Sequence, residues 1–487
     1  MRYESVVKRR AHVSTIAAFL VATAACTSCS APPTVREPRS TPRPPLPAEL
    51  ARPAVARAAL ASREAHRLAS SLADEVGPRL AGSPGDAAAV AWALQAMRGL
   101  GLANVHAEPV VVPVWRRGED RARIVTAGAA VRPLDVSALG WSGSTSDDGI
   151  DAEIVRVATV DELAKLPDAA VVGKIVFVDS PMRRTADGSG YGEAVATRYR
   201  AQTAAAARGA LAALIRSVGT DDRYPHTGTT NRVPALLLPI GALSNASADI
   251  LARETASGPV RMRLIMTSRR LPDAASANVV GEIQGREKPD EIVLLAAHLD
   301  SWDTGRGALD DGAGCGVVLD ALRILASEKP ARTVRVVLFA AEENSLAGGK
   351  QYAKAHAGEL ERIVLAMEVD GGTGKVVSMR FVGDPASAPA MRSIAEPLAA
   401  LGLQFSDDRG HSGADIGPLV AAGVPAVDLR QDVSHYFDIH HTAGDTSDKL
   451  DASALAQVTA VVAHLALRAA DVNVSFGRVP PSLRERE

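Results

Sequence analysis

The sequence predicts an α/β protein: a largely parallel sheet with helices on both faces, interrupted by a second, β-rich module. Three observations carry this. From Ala277 onward, apolar strands alternate with amphipathic helices, the pattern of parallel strands joined by helical crossovers. Each of the three strands in that stretch ends in acidic or imidazole side chains, where ligand sites form in open α/β sheets. Between about residues 116 and 272 the text changes to short β-rich segments separated by Gly, Ser and Asp.

Residues 1–47 read as an export signal followed by a tether. Basic Lys8, Arg9 and Arg10 precede an apolar run from Ile16 to Ala25, too short for a typical bilayer anchor, and a Pro-rich stretch from Pro32 to Pro47 follows. Two readings of the junction compete: cleavage after Ala24, or a lipid anchor on Cys26, which follows the degenerate lipoprotein signature Thr23-Ala24-Ala25. The expected location is therefore outside the cytoplasm, whether periplasmic, secreted or membrane-tethered as a lipoprotein, with no transmembrane helix. Cys26 and Cys29 lack the second pair that a zinc or redox site would need, and Cys315, in an apolar helix, reads as a small core residue. No disulfide framework is expected.

Residues 48–115 open with helical spacing, broken by the loop Gly77-Pro78-Arg79-Leu80-Ala81-Gly82-Ser83-Pro84. The module at 116–272 contains strands at Lys174–Asp179 and Ala235–Ile240, and between them a helix from Ala201 to Gly209 leading into the apolar run Ala210–Ile215. Residues 273–487 hold strands Ile292–Ala297, Val334–Phe339 and Ile363–Met367, with helices from about Gly314 to Ser327 and Ser345 to His356. The 54 Lys and Arg against 56 Asp and Glu leave a net charge of −2, and 3% of residues are aromatic. That excludes a general electrostatic pull on nucleic acid and makes base-stacking platforms scarce, so a site here is expected to work by charge and coordination.

The polar strand ends are His298 with Asp300, Glu342 with Glu343, and Glu368 with Asp370. One acid after one strand is ordinarily a solvated turn or a helix cap; the convergence of several is what points to a site. The stretch from Ala297 to Gly314 adds Asp303, Asp310 and Asp311 in a Gly-rich turn, and Phe437-Asp438-Ile439-His440-His441-Thr442 supplies two further imidazoles. Imidazole with carboxylate suits Zn²⁺, Co²⁺ or Mn²⁺, and a carboxylate can bridge two ions. Neither H-E-x-x-H nor G-x-S-x-G occurs, and Gly371-Gly372-Thr373-Gly374-Lys375 lacks the spacing of a phosphate loop.

In order, the H-x-D, D-D-G, A-E-E, E-x-D and H-T-x-x-D-T blocks resemble those of the M28 metallopeptidases. Within that family, His298-Leu299-Asp300-Ser301-Trp302-Asp303 and Gly307-Ala308-Leu309-Asp310-Asp311-Gly312 are similar to the carboxypeptidase Q group. The resemblance implies a zinc-exopeptidase-like three-layer sandwich with a mostly parallel mixed sheet, and reads the module at 116–272 as an inserted protease-associated domain. It implies two Zn²⁺ per chain, with Asp310 bridging them, His298 and Glu343 on the first ion, and Asp370 and His441 on the second. Glu342 would be the general base, and Asp300 would orient His298. His441 is preferred to His440 because it directly precedes Thr442 in the block.

His411, Asp415 and His440 are candidate substrate-binding residues, the first two in a small-residue loop that lines the cleft in the family. Tyr224, His226 and Thr227 are weaker candidates, since the surrounding Pro and Gly read more readily as a rigid turn. The activity implied is an exopeptidase acting on dipeptides or short peptides, with an M28 aminopeptidase as the alternative and a noncatalytic peptide-binding ectodomain as a third. A homodimer is implied by the resemblance alone.

Overall fold

The computed structural model describes residues 54–125, 131–232 and 238–484. The export segment, Cys26 and the Pro-rich stretch lie outside the described residues, as do 235–237, the first half of the expected strand Ala235–Ile240.

Helices Ala54–Ala61, Glu64–Ser71 and Pro84–Gly99 lead into β1 (Ala103–Arg116). Eight strands follow that belong to a separate sheet: β2 (Asp120–Ile124), β3 (Arg132–Leu134), β4 (Val136–Ala138), β5 (Ile150–Val157), β6 (Ile175–Val178), β7 (Ala212–Arg216), β8 (Ile240–Leu243) and β9 (Arg261–Met266). The chain then returns through β10 (Arg269–Ile283), β11 (Lys288–His298), β12 (Arg332–Phe339), β13 (Ile363–Glu368), β14 (Val376–Val382), β15 (Gln404–Ser406) and β16 (Ala426–Gln431).

The first sheet runs β1-β10-β12-β11-β13-β16-β14-β15. Its centre, β12-β11-β13-β16, is parallel, and antiparallel pairs flank it at β10-β12 and β16-β14. Alternation along β11 shows why helices cover both faces. Val293, Leu295 and Ala297 pack with Leu319, Leu322 and Leu325 of helix Ala313–Leu325 and with Val458, Val461 and Leu465 of helix Ala452–Asp471. Ile292, Leu294 and Ala296 point the other way, onto Tyr352, Leu419 and Val420. Each such side chain, fully removed from water, stabilises the fold by about 1.5–3 kcal/mol. Helix Ala452–Asp471 is long and apolar enough to cross a membrane by length and composition, but it is mostly buried here as a core helix. Asp451 caps its start, accepting from the amides of Ser453 and Ala454.

The second sheet runs β3-β2-β9-β5-β6-β7-β8-β4 and alternates in the same way. Ile175 and Phe177 face a cluster holding Leu251 of helix Asn245–Ser257, whereas Val176 and Val178 face Ala201 and Ala205 of helix Ala196–Ala207. Trp302, from the loop after β11, is buried in the first of these clusters beside Trp115. The two sheets are thereby joined next to the polar strand ends.

Candidate metal centre and cleft

The parallel register brings the polar ends together. His298 ends β11 opposite Phe339 of β12, and Ala296 stands opposite Glu368 of β13, so the Glu342–Glu343 turn and Asp370 emerge on either side of His298. Helix Ala313–Leu325 is drawn in close behind them. A Cβ at Gly314 would stand 2.0 Å from the Val369 carbonyl oxygen, so only glycine fits. Asp311 fastens this junction, accepting from the His298 amide at 3.1 Å and the Gly314 amide at 2.9 Å.

Asp310 is the hub. One carboxylate oxygen lies 3.0 Å from Nε2 of His298, and the other lies 3.2 Å from Nε2 of His441 and 3.4 Å from Nε2 of His440. Oδ1 of Asp370 is 3.8 Å from Nε2 of His298, while Oε2 of Glu343 is 3.0 Å from Nε2 of His441. Donor atoms of His298, Asp310 and Asp370 lie within 4.8 Å of one another, as do those of Asp310, His440 and His441. The grouping implied by the resemblance is therefore corrected: Glu343 adjoins His441 rather than His298, and Asp370 adjoins His298 rather than His441. Both flanking strands, β12 and β13, neighbour β11, so Glu343 and Asp370 arrive from opposite sides of His298; Asp370 stays beside His298, and Glu343 meets His441 from the later loop.

Asp300 stands beside His298 and also serves the neighbouring turn. Nδ1 of His298 is 3.1 Å from the backbone carbonyl of Asp300 and 3.6 Å from its carboxylate. The carboxylate also accepts from the amides of Glu342 at 2.9 Å and Glu343 at 3.3 Å. It holds the turn that presents both glutamates. Ala341 and Leu346, on either side of that turn, and His441 all have positive φ near +60°, an uncommon and costly conformation for side chains other than glycine that clusters at functional sites.

Burial pushes the Glu342 carboxyl well above its ordinary range; His298 opposes this, and Glu343 and Asp370 add to it. Burial together with Asp310 raises Glu343 to about 7. Burial acts to lower His441, but Glu343 and Asp310 raise it to about 9. Oδ2 of Asp310 and Oε1 of Glu343 are buried without a hydrogen bond. Carboxylate and imidazole atoms converging on one another in this way form a donor set for divalent cations such as Zn²⁺, and the orphaned oxygens fit that role.

Beside this centre lies a cleft of about 520 Å³, lined by Asp310, Glu342, Glu343, Asp370, His440 and His441 from the first sheet's loops and by Tyr191, Arg198, Tyr199, Thr229 and Arg232 from the second sheet's segment. His440 lines it, with its ring 3.5 Å from that of His441 and tilted against Tyr436. His411 is exposed, with its amide held by Asp428 at 2.8 Å, and it is not among the cleft residues. Asp415 is fully buried with neither carboxylate oxygen hydrogen-bonded, and its amide donates to Glu368 at 3.3 Å. The structure thus brings eight of the anticipated residues together, His298, Asp300, Asp310, Glu342, Glu343, Asp370, His440 and His441, and leaves His411 outside, its amide turned toward Asp428. The Tyr224–Thr227 turn braces the centre from behind: the Thr227 amide donates to the His441 carbonyl at 3.0 Å, and His226 is fully buried.

Reading the sequence overlooked Asp445, although the H-T-x-x-D-T block contains it. Its carboxylate accepts from the amides of Leu309 at 2.7 Å and Asp310 at 3.2 Å. Arg79 was visible only as part of a loop. It is buried and donates to the carbonyls of Leu299, Arg306 and Gly307, bracing the turn before Asp310.

A mixed, mostly parallel sheet with paired carboxylate–imidazole groups at its strand ends defines a metallo-exopeptidase. The chain belongs to peptidase family M28, whose profile matches residues 278–466. It is 36% identical over 414 residues to carboxypeptidase Q of Mus musculus, covering 84% of this chain and 86% of that one. It is 35% identical to carboxypeptidase Q of Homo sapiens, over 86% and 87% of the two chains. Among solved structures, a peptidase M28 precursor from Shewanella amazonensis SB2B superposes with a TM-score of 0.84 at 42% identity, covering 88% of this chain and 97% of the other. The zinc aminopeptidase BSAP from Bacillus subtilis shares the fold, with a TM-score of 0.64 at 21% identity over 86% and 97% of the chains.

Proposed function

We propose that the protein is a dinuclear zinc exopeptidase that hydrolyses dipeptides or short peptides in the manner of carboxypeptidase Q. The observation that carries this reading is the Asp310 carboxylate, one oxygen turned to His298 and the other to His441, with Asp370 and Glu343 completing the two sides. His298 and Asp370 would hold one ion, Glu343 and His441 the other, and Asp310 both. Bound there, the ions would acidify a water and polarise the scissile carbonyl.

Glu342 faces the cleft without being needed in either ligand group, the position a general base requires. It takes the proton of the attacking water and returns it to the leaving amine. Asp300 keeps it aimed by holding its amide. The segment at 116–272 is read as a protease-associated domain that supplies one wall of the cleft. Residues 1–47 are read as an export signal and tether, and mass spectrometry of the mature N-terminus distinguishes cleavage after Ala24 from a lipid on Cys26.

Glu342→Gln is expected to lower kcat on a dipeptide by about two to four orders of magnitude, the usual worth of a general base. The zinc content of the purified protein should stay at the wild-type level. Loss of zinc with the activity would make Glu342 a ligand, and unchanged turnover would remove it from the mechanism.

A further inference from the structure

Among the described residues, three arginines are almost wholly buried: Arg79 at 0% exposure, Arg198 at 2% and Arg332 at 4%. Two are satisfied. Arg79 donates to a ring of backbone carbonyls, and Arg332 pairs with Glu291 and donates to the carbonyls of Ala469 and Val472. Arg198 is not. It makes a single side-chain hydrogen bond, from Nη1 to the Tyr191 hydroxyl at 3.0 Å, while Nε and Nη2 are buried without any partner and no carboxylate pairs with it. A guanidinium cannot shed its proton to escape this, so a buried one without a counter-charge is costly.

Arg198 lines the same cleft as the carboxylates of the metal centre. It stacks over the Tyr191 ring at 5.5 Å, and that ring in turn meets His440 edge-on at 5.3 Å. It also lies against Gly228, where an added Cβ would meet it at 2.3 Å, and the next residue, Thr229, donates to the Glu343 carbonyl at 2.6 Å. A fixed cation with two free donor groups, packed between the neighbours of His440 and Glu343, is built to take an anion from the cleft. Arg232 adds a second positive charge to the same wall.

We infer that Arg198 recognises the free C-terminal carboxylate of the substrate and so selects dipeptides and carboxyl-terminal residues over amidated or internal peptides. The assignment rests on the peptidase reading above and gives it a substrate class. Arg198 binds and orients the substrate; it takes no part in proton transfer.

The test compares a dipeptide with its C-amidated form on the zinc-loaded full chain, for the wild type, Arg198→Met and Arg198→Lys. The wild type should prefer the free acid, and Arg198→Met should shrink the ratio of kcat/KM values, acid over amide, by about 10- to 100-fold, mainly through KM for the acid. Arg198→Lys, which keeps the charge but not the fork, should fall between them. A free amino acid product should also inhibit the wild type more strongly than its amide, and Arg198→Met should abolish that difference. Equal losses on acid and amide in both variants would make Arg198 merely structural and overturn the inference. So would a wild type that cleaves acid and amide equally, which would leave the peptidase reading intact. Cleavage of neither by the zinc-loaded wild type would instead overturn the peptidase reading itself.

Discussion

Asp445 does not line the 520 Å³ cleft, yet it holds the amides of Leu309 and Asp310 and thereby fixes where the Asp310 carboxylate stands. Groups that orient a metal-binding side chain in this way are typically worth about 10- to 100-fold in metal affinity. Asp445→Ala is therefore expected to weaken zinc binding by about that factor in a competition titration against a chelator of known affinity, while saturating zinc restores most of the turnover. Unchanged affinity would show that Asp310 is held by its helix junction alone. At this scale the sequence was informative wherever a residue sat at a strand end. His298, Glu343 and Asp370 were legible because apolar β-runs stop at them, and Asp310 because of its Gly-rich turn. Their partners were not, since which imidazole meets which carboxylate depends on strand order, and sequence order does not reveal it. Arg198 carried no signal at all: in Thr197-Arg198-Tyr199-Arg200 it reads as one more exposed helical arginine, and only packing shows it buried.

The turn Glu342–Ser345 is gripped from both sheets. Asp300 takes its first two amides, Thr229 donates to the Glu343 carbonyl, and Nε1 of Trp141 donates to the Asn344 carbonyl at 3.0 Å. A neutral hydrogen bond of this kind contributes about 1 kcal/mol, and leaving its partner buried and unpaired costs somewhat more. Thr229→Val should accordingly lower kcat by about 3- to 10-fold with zinc content unchanged and KM within about twofold, measured in steady-state assays. A change in KM alone would place Thr229 against substrate instead. The central strands β11, β12 and β13 and their helices were readable to within a few residues, because fully buried parallel strands are continuous apolar runs. The edge strand β15 and its neighbour β14 were not anticipated: β15 spans only Gln404–Ser406 and β14 is partly exposed, so neither leaves such a run.

For the molecule as a whole, the centre gathers at least four carboxylates that repel one another without cations. Ligands that bind only the folded state stabilise it by RT ln(1 + [L]/Kd), about 4 kcal/mol at a thousandfold excess over Kd. Chelation should therefore lower the calorimetric unfolding midpoint by several degrees, and added Zn²⁺ should restore it. An unmoved midpoint would mean that the centre does not draw on cations for stability. The division into two sheets was legible from the change of pattern near residues 116 and 272. Their mutual packing was not, because Trp302 crosses from the loop of one sheet into the core of the other, and nothing local in the sequence marks that.

The pairing of β1 with β10 sets Arg116 opposite Arg269, with the whole second sheet strung between them. For a flexible chain, bringing together ends about 150 residues apart costs on the order of 4–5 kcal/mol in lost freedom. Once the second sheet has folded, its two ends already stand side by side, and that cost has been met before the outer ladder begins to zip. The converse also holds: a formed ladder gathers the segment that must become the second sheet. Neither half of the molecule is then a passive spacer for the other, since each prepares the closure of its neighbour, and the cleft is the seam where the two closures meet.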